Sequence, residues 1–308
     1  MEAKMQTILS NIQNLSDKIR ERREYKRTDE YRSIRIANLC FFFCIIFEVA
    51  GIFTMPFFGT LGAQMSIYFM TFIFAFFMAM KNKENLKVPC EKPKIKALTV
   101  STLMVVSGIP VAMVLNALAG VLSQAGADST EDITKYPIYL SILCFAVVPA
   151  IVEEYVFRGV ILGEFLNVKG RFGIASAVML SSLFFALLHF SLGSVLYGFF
   201  FGCLFALVRI ATGNMVYPIC MHMAFNLINV ILSYIDMSRI PNVVVIAVMV
   251  VLFIAFVITA VVFFRDYRIE EKLKGGLKGN KTWKMITKEG YVTMGICLLV
   301  MGMLLIMS

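Results

Sequence analysis

"YPIYLSILCFAVVPAIVEEYVFRGVILGEFL", residues 136–166, is apolar along most of its length and carries charge only at Glu153, Glu154, Arg158 and Glu164. A helix needs about 20 mostly apolar residues to cross the hydrocarbon core of a bilayer, and this stretch exceeds that. Read as a span, it places Glu153, Glu154 and Arg158 at membrane depth. An ionised side chain there costs ~2.5–3.5 kcal/mol on insertion scales, so such residues face the bundle interior and mark a functional site.

The rest of the chain supports the membrane reading. Of its 308 residues, 59% are apolar and 16% charged. Runs of span length recur at Ile36–Phe58, Leu61–Met80, Ala97–Ser123, Tyr136–Leu166, Phe172–Phe190, Leu192–Val208, Met215–Ile235, Val243–Phe264 and Tyr291–Met307. The expected fold is all-α, a polytopic integral membrane bundle of about 8–9 transmembrane helices. The organisation expected is a charged cytoplasmic segment (1–35), N-terminal spans and loops (36–135), a core (136–235), and C-terminal spans (236–308) with a basic cytoplasmic loop at 265–290. Little chain is left for a separate soluble unit, so chemistry is expected inside the membrane. The first span follows a charge-rich segment of 35 residues, which does not match a cleavable signal peptide.

A net charge of +9 invites a nucleic-acid reading until the basic residues are placed. With the N-terminus in the cytoplasm, 26 of the 29 Lys and Arg fall on the cytoplasmic side, in 1–35, 81–96 and 265–290 and at Lys169, Arg171 and Arg209. Only Lys135 and Arg239 lie in outer loops, and Arg158 lies in a span. This asymmetry fits the positive-inside rule, with anionic-lipid contact rather than nucleic acid as the role of the basic ends. Residues 11–32 mix both signs and read as a solvated or interfacial helix. The seven cysteines form no C-x-x-C pair and no disulfide framework, and the Gly-rich "KGGLKGN" at 274–280 lacks the context of a phosphate loop.

Glu154 and Arg158 are spaced i, i+4 and can form a charge-neutralising pair on one helix face. Glu153, rotated about 100° from its neighbour, is left for another partner and is the candidate for chemistry. Glu48, in "IIFEVAG", reads as a carboxyl paired with another helix or close to the interface, away from the site; Glu164 lies at a span end. The chain has two histidines, His189 in "FALLH" and His222 in "HMAFN", both in expected membrane helices. At 1.5 Å per residue, Glu153, His189, His222 and Asn226 lie roughly 20, 26, 11 and 17 Å from the cytoplasmic helix ends, so all four are within the core.

"EEYVFR" at 153–158, "FALLH" at 185–189 and "HMAFN" at 222–226 resemble, in order, the motifs E-E-x-x-x-R, F-x-x-x-H and H-x-x-x-N of the CPBP intramembrane proteases. This family, also called Abi, includes the Ras-converting CAAX prenyl endopeptidases. The resemblance covers about residues 136–235 and leaves the first three spans, the eighth and the ninth as scaffolding or substrate access. It implies an endopeptidase acting on a membrane-associated or CAAX-like peptide. Glu153 would be the general base on a water held with His189, while His222 and Asn226 stabilise the oxyanion. Glu154, Arg158 and Phe185 would support the site or contact substrate.

No cofactor is expected. If zinc were bound, its ligands would be His189, His222 and Glu153, but there is no H-E-x-x-H and a ligating glutamate cannot serve freely as base. Two other readings use the same residues: a proton-coupled transporter with Glu153, Glu154 and the histidines as a relay, and a non-enzymatic scaffold or bacteriocin-immunity protein that keeps the motifs unused.

Overall fold

The computed structural model describes residues 2–83, 87–123, 133–168, 173–269 and 285–307. Its helices are α1 (Glu2–Tyr25), α2 (Asp29–Lys81), α3 (Ile95–Ser107), α4 (Ile109–Ser123), α5 (Ile138–Asn167), α6 (Gly173–Leu187), α7 (Leu192–Thr212), α8 (Val216–Ser233), α9 (Asn242–Asp266) and α10 (Lys288–Met307). There is no strand among the described residues. Among the described residues seven stretches are long and apolar enough to cross a membrane: α2, α3 with α4, α5, α7, α8, α9 and α10. The chain is thus the all-α polytopic membrane bundle its composition implies. Lys169, Arg171, the first residue of the expected span Phe172–Phe190, and most of the basic loop with its "KGGLKGN" lie outside the described residues.

Two expected spans, Ile36–Phe58 and Leu61–Met80, form one 53-residue helical element that turns back on itself. Thr28 starts it: its side-chain oxygen accepts from the Tyr31 amide at 3.2 Å, and Asp29 and Glu30 occupy the first turn, where the helix dipole favours acids. The reversal is at Gly59, with φ 67° and ψ 176°, a backbone region open essentially to glycine alone. The two halves then pack side by side. Phe43 and Phe74 stack with ring centroids 4.2 Å apart, and a Cβ at Gly51 would overlap Ile67.

The third expected span, Ala97–Ser123, is broken at Gly108 into α3 and α4. A Cβ at Gly108 would meet the Phe201 and Phe256 rings. α5 is helical throughout but widens into π-helical turns at Leu143–Val147 and Tyr155–Ile161. Such bulges recur at functional sites, and the second begins directly after Glu154. The ninth expected span is present as α10. Asn38, fully buried in α2, ties it in: its Nδ2 donates to the Ile34 and Met285 carbonyls at 2.8 Å each, and its Oδ1 accepts from the Thr287 amide.

Two apolar cores meet at α7. One joins α2, α5, α6 and α10, where Phe41 and Phe184 stack at 4.0 Å; the other joins α3, α4, α7, α8 and the end of α9. Apolar side chains left outside, such as Ile246, Val250 and Phe253 along α9, face where lipid would be, so packing rather than water exclusion holds these helices. The described side chains of 10–21 in α1 are exposed.

Glu164 lies in the last turn of α5, at the span end as expected, yet it is 0% exposed and accepts from Asn82 Nδ2 at 2.7 Å. The amide of Asn82, at the end of α2, also reaches Ser33 Oγ at 3.2 Å, so the carboxyl is enclosed by a small polar cluster rather than by solvent.

Candidate active site

Glu154 and Arg158 form the expected pair, with Nη1 2.9 Å from Oε1 and both side chains 0% exposed. The guanidinium is enclosed on several sides. Its Nη2 donates to the Gly202 carbonyl at 3.2 Å, and its carbon lies 4.3 Å and 5.4 Å from the centroids of the Phe185 and Phe205 rings. Gly202 makes the close approach of α7 feasible, since a Cβ there would lie 3.3 Å from Nη2 and 3.0 Å from Ser182 Cβ. A carboxylate, a carbonyl and two ring faces thus replace part of the hydration that a buried cation loses, while Arg158 Nε has no hydrogen-bond partner among the described residues.

His222, on α8, completes this network. Its Nδ1 is 2.9 Å from Glu154 Oε1, and its Nε2 is 3.8 Å from Glu153 Oε2. The imidazole lies nearly parallel to Phe205 and perpendicular to Phe185, at 5.4 and 5.7 Å between centroids. A carboxylate oxygen already accepting from Arg158 has only acceptor capacity, so Nδ1 carries a hydrogen and Nε2 is the atom left facing Glu153.

His189 falls in the turn just past the end of α6, not in a membrane helix as its motif suggests. The reason is local: the helix ends at Leu187, and Phe190 takes a positive φ of 54°. The imidazole is still anchored, with Nδ1 3.1 Å from the Phe185 carbonyl oxygen. A carbonyl only accepts, so here too Nδ1 carries the hydrogen and Nε2 is free. Phe185 touches each part of the site: its ring meets Arg158, His189 and His222, and its carbonyl holds His189.

Glu153, 20% exposed at its side chain, points into a cavity of about 210 Å3. His189 lies on the same wall, with Val152, Val156, Phe157, Phe185 and Leu188. The remaining wall comes from α2: Cys44 and Glu48 from its first half, Gln64, Ile67, Tyr68 and Thr71 from its second. Tyr68 donates to Glu153 Oε1 at 3.0 Å. Glu48, expected to lie away from the site, therefore faces the same cavity as Glu153. The signal for the second half was present: Gln64, Tyr68 and Thr71 recur at i, i+4, i+7, a polar stripe on one face of an apolar span.

Glu153, Glu154, Arg158, Phe185 and His222 are thus one contact network, and Glu153 and His189 share one cavity. Asn226, one turn beyond His222 and partly buried, is on neither the network nor the cavity wall. Among the described residues no three His, Cys, Asp or Glu side chains are grouped to hold a metal ion, while each histidine, with Nδ1 on an oxygen, leaves Nε2 open.

Fold and site together define a polytopic helical membrane protein whose carboxylate, guanidinium and imidazole groups are gathered beside a polar cavity inside the bundle. Residues 135–228 match the family model described as type II CAAX prenyl endopeptidase Rce1-like. The chain is also 31% identical over 160 residues to the membrane-embedded CAAX protease MroQ of Staphylococcus aureus (strain USA300), a match covering 48% of this chain and 63% of that protein. Residues 135–228 therefore belong to the CPBP/CAAX protease family. The chain spans less than two thirds of the length of the relative it matches. No solved structure matches it.

Proposed function

We propose that this protein is an intramembrane endopeptidase that hydrolyses a peptide bond of a membrane-associated or CAAX-like peptide with a water activated by Glu153. The observation that carries this reading is the shared cavity of about 210 Å3 with Glu153 and His189 on its wall. A water between them would donate one hydrogen to Glu153 and the other to His189 Nε2, which fixes its lone pair for attack. As its oxygen bonds to the scissile carbonyl carbon, the proton passes to Glu153. It then moves to the leaving nitrogen as the C–N bond breaks.

His222 and Asn226 are the proposed oxyanion donors. With its Nδ1 hydrogen committed to Glu154, His222 donates from Nε2 only when doubly protonated. Glu154 and Arg158, at 0% exposure, act by holding His222 rather than by touching substrate.

Cleavage by the full chain in liposomes tests the assignment. Glu153→Gln and His189→Ala are each expected to lower kcat by ~10²–10⁴-fold, the worth of a positioned general base. Wild-type rates in both would remove the site. Comparing membrane proteomes of cells carrying wild type and Glu153→Gln then identifies substrates by their accumulation.

The basic-loop asymmetry supports a cytoplasmic N-terminus and contact with anionic lipid. Cys90, the exposed cysteine among those described, lies between α2 and α3 and is expected to react with an impermeant maleimide only from the cytoplasmic face.

A further inference from the structure

The two oxygens of Glu153 are not equivalent. Oε1 accepts from the Tyr68 hydroxyl at 3.0 Å, whereas Oε2 stands 3.8 Å from His222 Nε2, beyond a direct hydrogen bond. A glutamate has three side-chain torsions, and a general base is effective only when held within a fraction of an ångström of its working position. Among the described residues, Tyr68 is the group within hydrogen-bond distance of Glu153.

We infer that Tyr68 is a positioning residue for the reaction: it fixes Glu153 through Oε1 and thereby presents Oε2 as the basic oxygen. The inference rests on the proposed function of Glu153. It also makes the α2 hairpin part of the catalytic unit, although α2 lies wholly outside residues 135–228.

The surroundings of Tyr68 fit this role. The preceding residue, Ile67, abuts Gly51 of the other half of α2, where an added Cβ would have to displace the Ile67 side chain, so the hairpin contact sets how far Tyr68 reaches toward α5. The Tyr68 ring also forms one side of an apolar groove of about 380 Å3 with Met65, Phe69, Phe72, Val148 and Ile151. Its ring therefore divides that groove from the polar cavity, while its hydroxyl points into the cavity. Phenylalanine preserves the division and removes only the donor.

The experiment compares steady-state cleavage by the full chain in liposomes for wild type, Tyr68→Phe and Glu153→Gln. Tyr68→Phe is expected to lower kcat roughly 10- to 100-fold, the range a hydrogen bond to a charged group spans, with KM and the unfolding midpoint unchanged. Installing 4-aminophenylalanine at position 68, which restores a donor, is expected to recover activity. Installing 4-cyanophenylalanine, similar in length but without a donor, is not.

Wild-type kcat in folded Tyr68→Phe, or equal activity of the amino and cyano forms, overturns the inference. Should Tyr68→Phe fail to fold, the amino and cyano pair decides. Glu153→Gln separates the two levels: if it is inactive while Tyr68→Phe is unimpaired, only the role of Tyr68 fails. If Glu153→Gln is itself fully active, the proposed function fails.

Discussion

His222 Nδ1 lies 2.9 Å from Glu154 Oε1, the same oxygen that Arg158 Nη1 approaches at 2.9 Å. One carboxylate oxygen thus joins a cation on its own helix to an imidazole 68 residues away. The glutamate that the i, i+4 spacing marks as half of an ion pair also orients the imaginary line from His222 to Glu153. The positioning proposed for Glu154 and the chemistry proposed for Glu153 can be separate tasks for adjacent residues because the helix turns them about 100° apart.

Breaking this pair one-sidedly is expected to cost more than removing it. Glu154→Leu leaves Arg158 buried without its counter-charge, at ~3–5 kcal/mol of stability. The double variant Glu154→Leu, Arg158→Leu is expected to lose less than either single change. Thermal unfolding in detergent of the two singles and the double closes the cycle. Additive losses would show that the ion pair is not the operative contact.

The two nitrogens of His189 have different tasks in the proposed mechanism, and amide isosteres separate them. Asparagine places an N–H near the Nδ1 position and can keep the bond to the Phe185 carbonyl, whereas glutamine reaches the Nε2 position. Since Nε2 faces the proposed water, His189→Gln is expected to retain about tenfold more activity than His189→Asn, on the order of one hydrogen bond. Cleavage rates for both variants check the order, and the reverse order would move the working atom to Nδ1.

Metal chelation is expected to leave cleavage unchanged. Among the described residues no three His, Cys, Asp or Glu side chains are grouped to hold an ion, and a Glu153 that ligated one could not serve freely as base. Activity after prolonged treatment with 1,10-phenanthroline and EDTA, followed by zinc re-addition, is the measurement. A loss that zinc restores would instead make Glu153, His189 and His222 the ligand set.

Gly51 is expected to tolerate a bulky side chain poorly. Its Cβ position overlaps Ile67, so Gly51→Leu wedges the halves of α2 apart at a cost of ~1–3 kcal/mol, the range for overpacking a core. Because Tyr68 follows Ile67, cleavage should fall further than the stability loss alone explains. Parallel unfolding and kcat measurements distinguish this from a purely structural effect.

The primary sequence by itself determined the membrane class, because runs of about 20 apolar residues have few other stable fates in water. It also determined the Glu154–Arg158 pair, since i, i+4 neighbours meet on any helix, and marked His189 and His222 by their scarcity. Local order decides all of these. The reversal at Gly59 was legible only as a gap between two spans. Its effect was not: bringing α2 against α5 joins Tyr68 to Glu153 across 85 residues of chain and turns Glu48 toward the same cavity.

The His222–Glu154 bond, the burial of Glu164 against Asn82, and the placement of His189 past the end of α6 were likewise decided by tertiary structure. Each depends on how far helices approach and which way they are rotated. Those quantities follow from the packing of many side chains at once, such as Gly51 on Ile67 or Gly202 beside Arg158, and no local spacing encodes them.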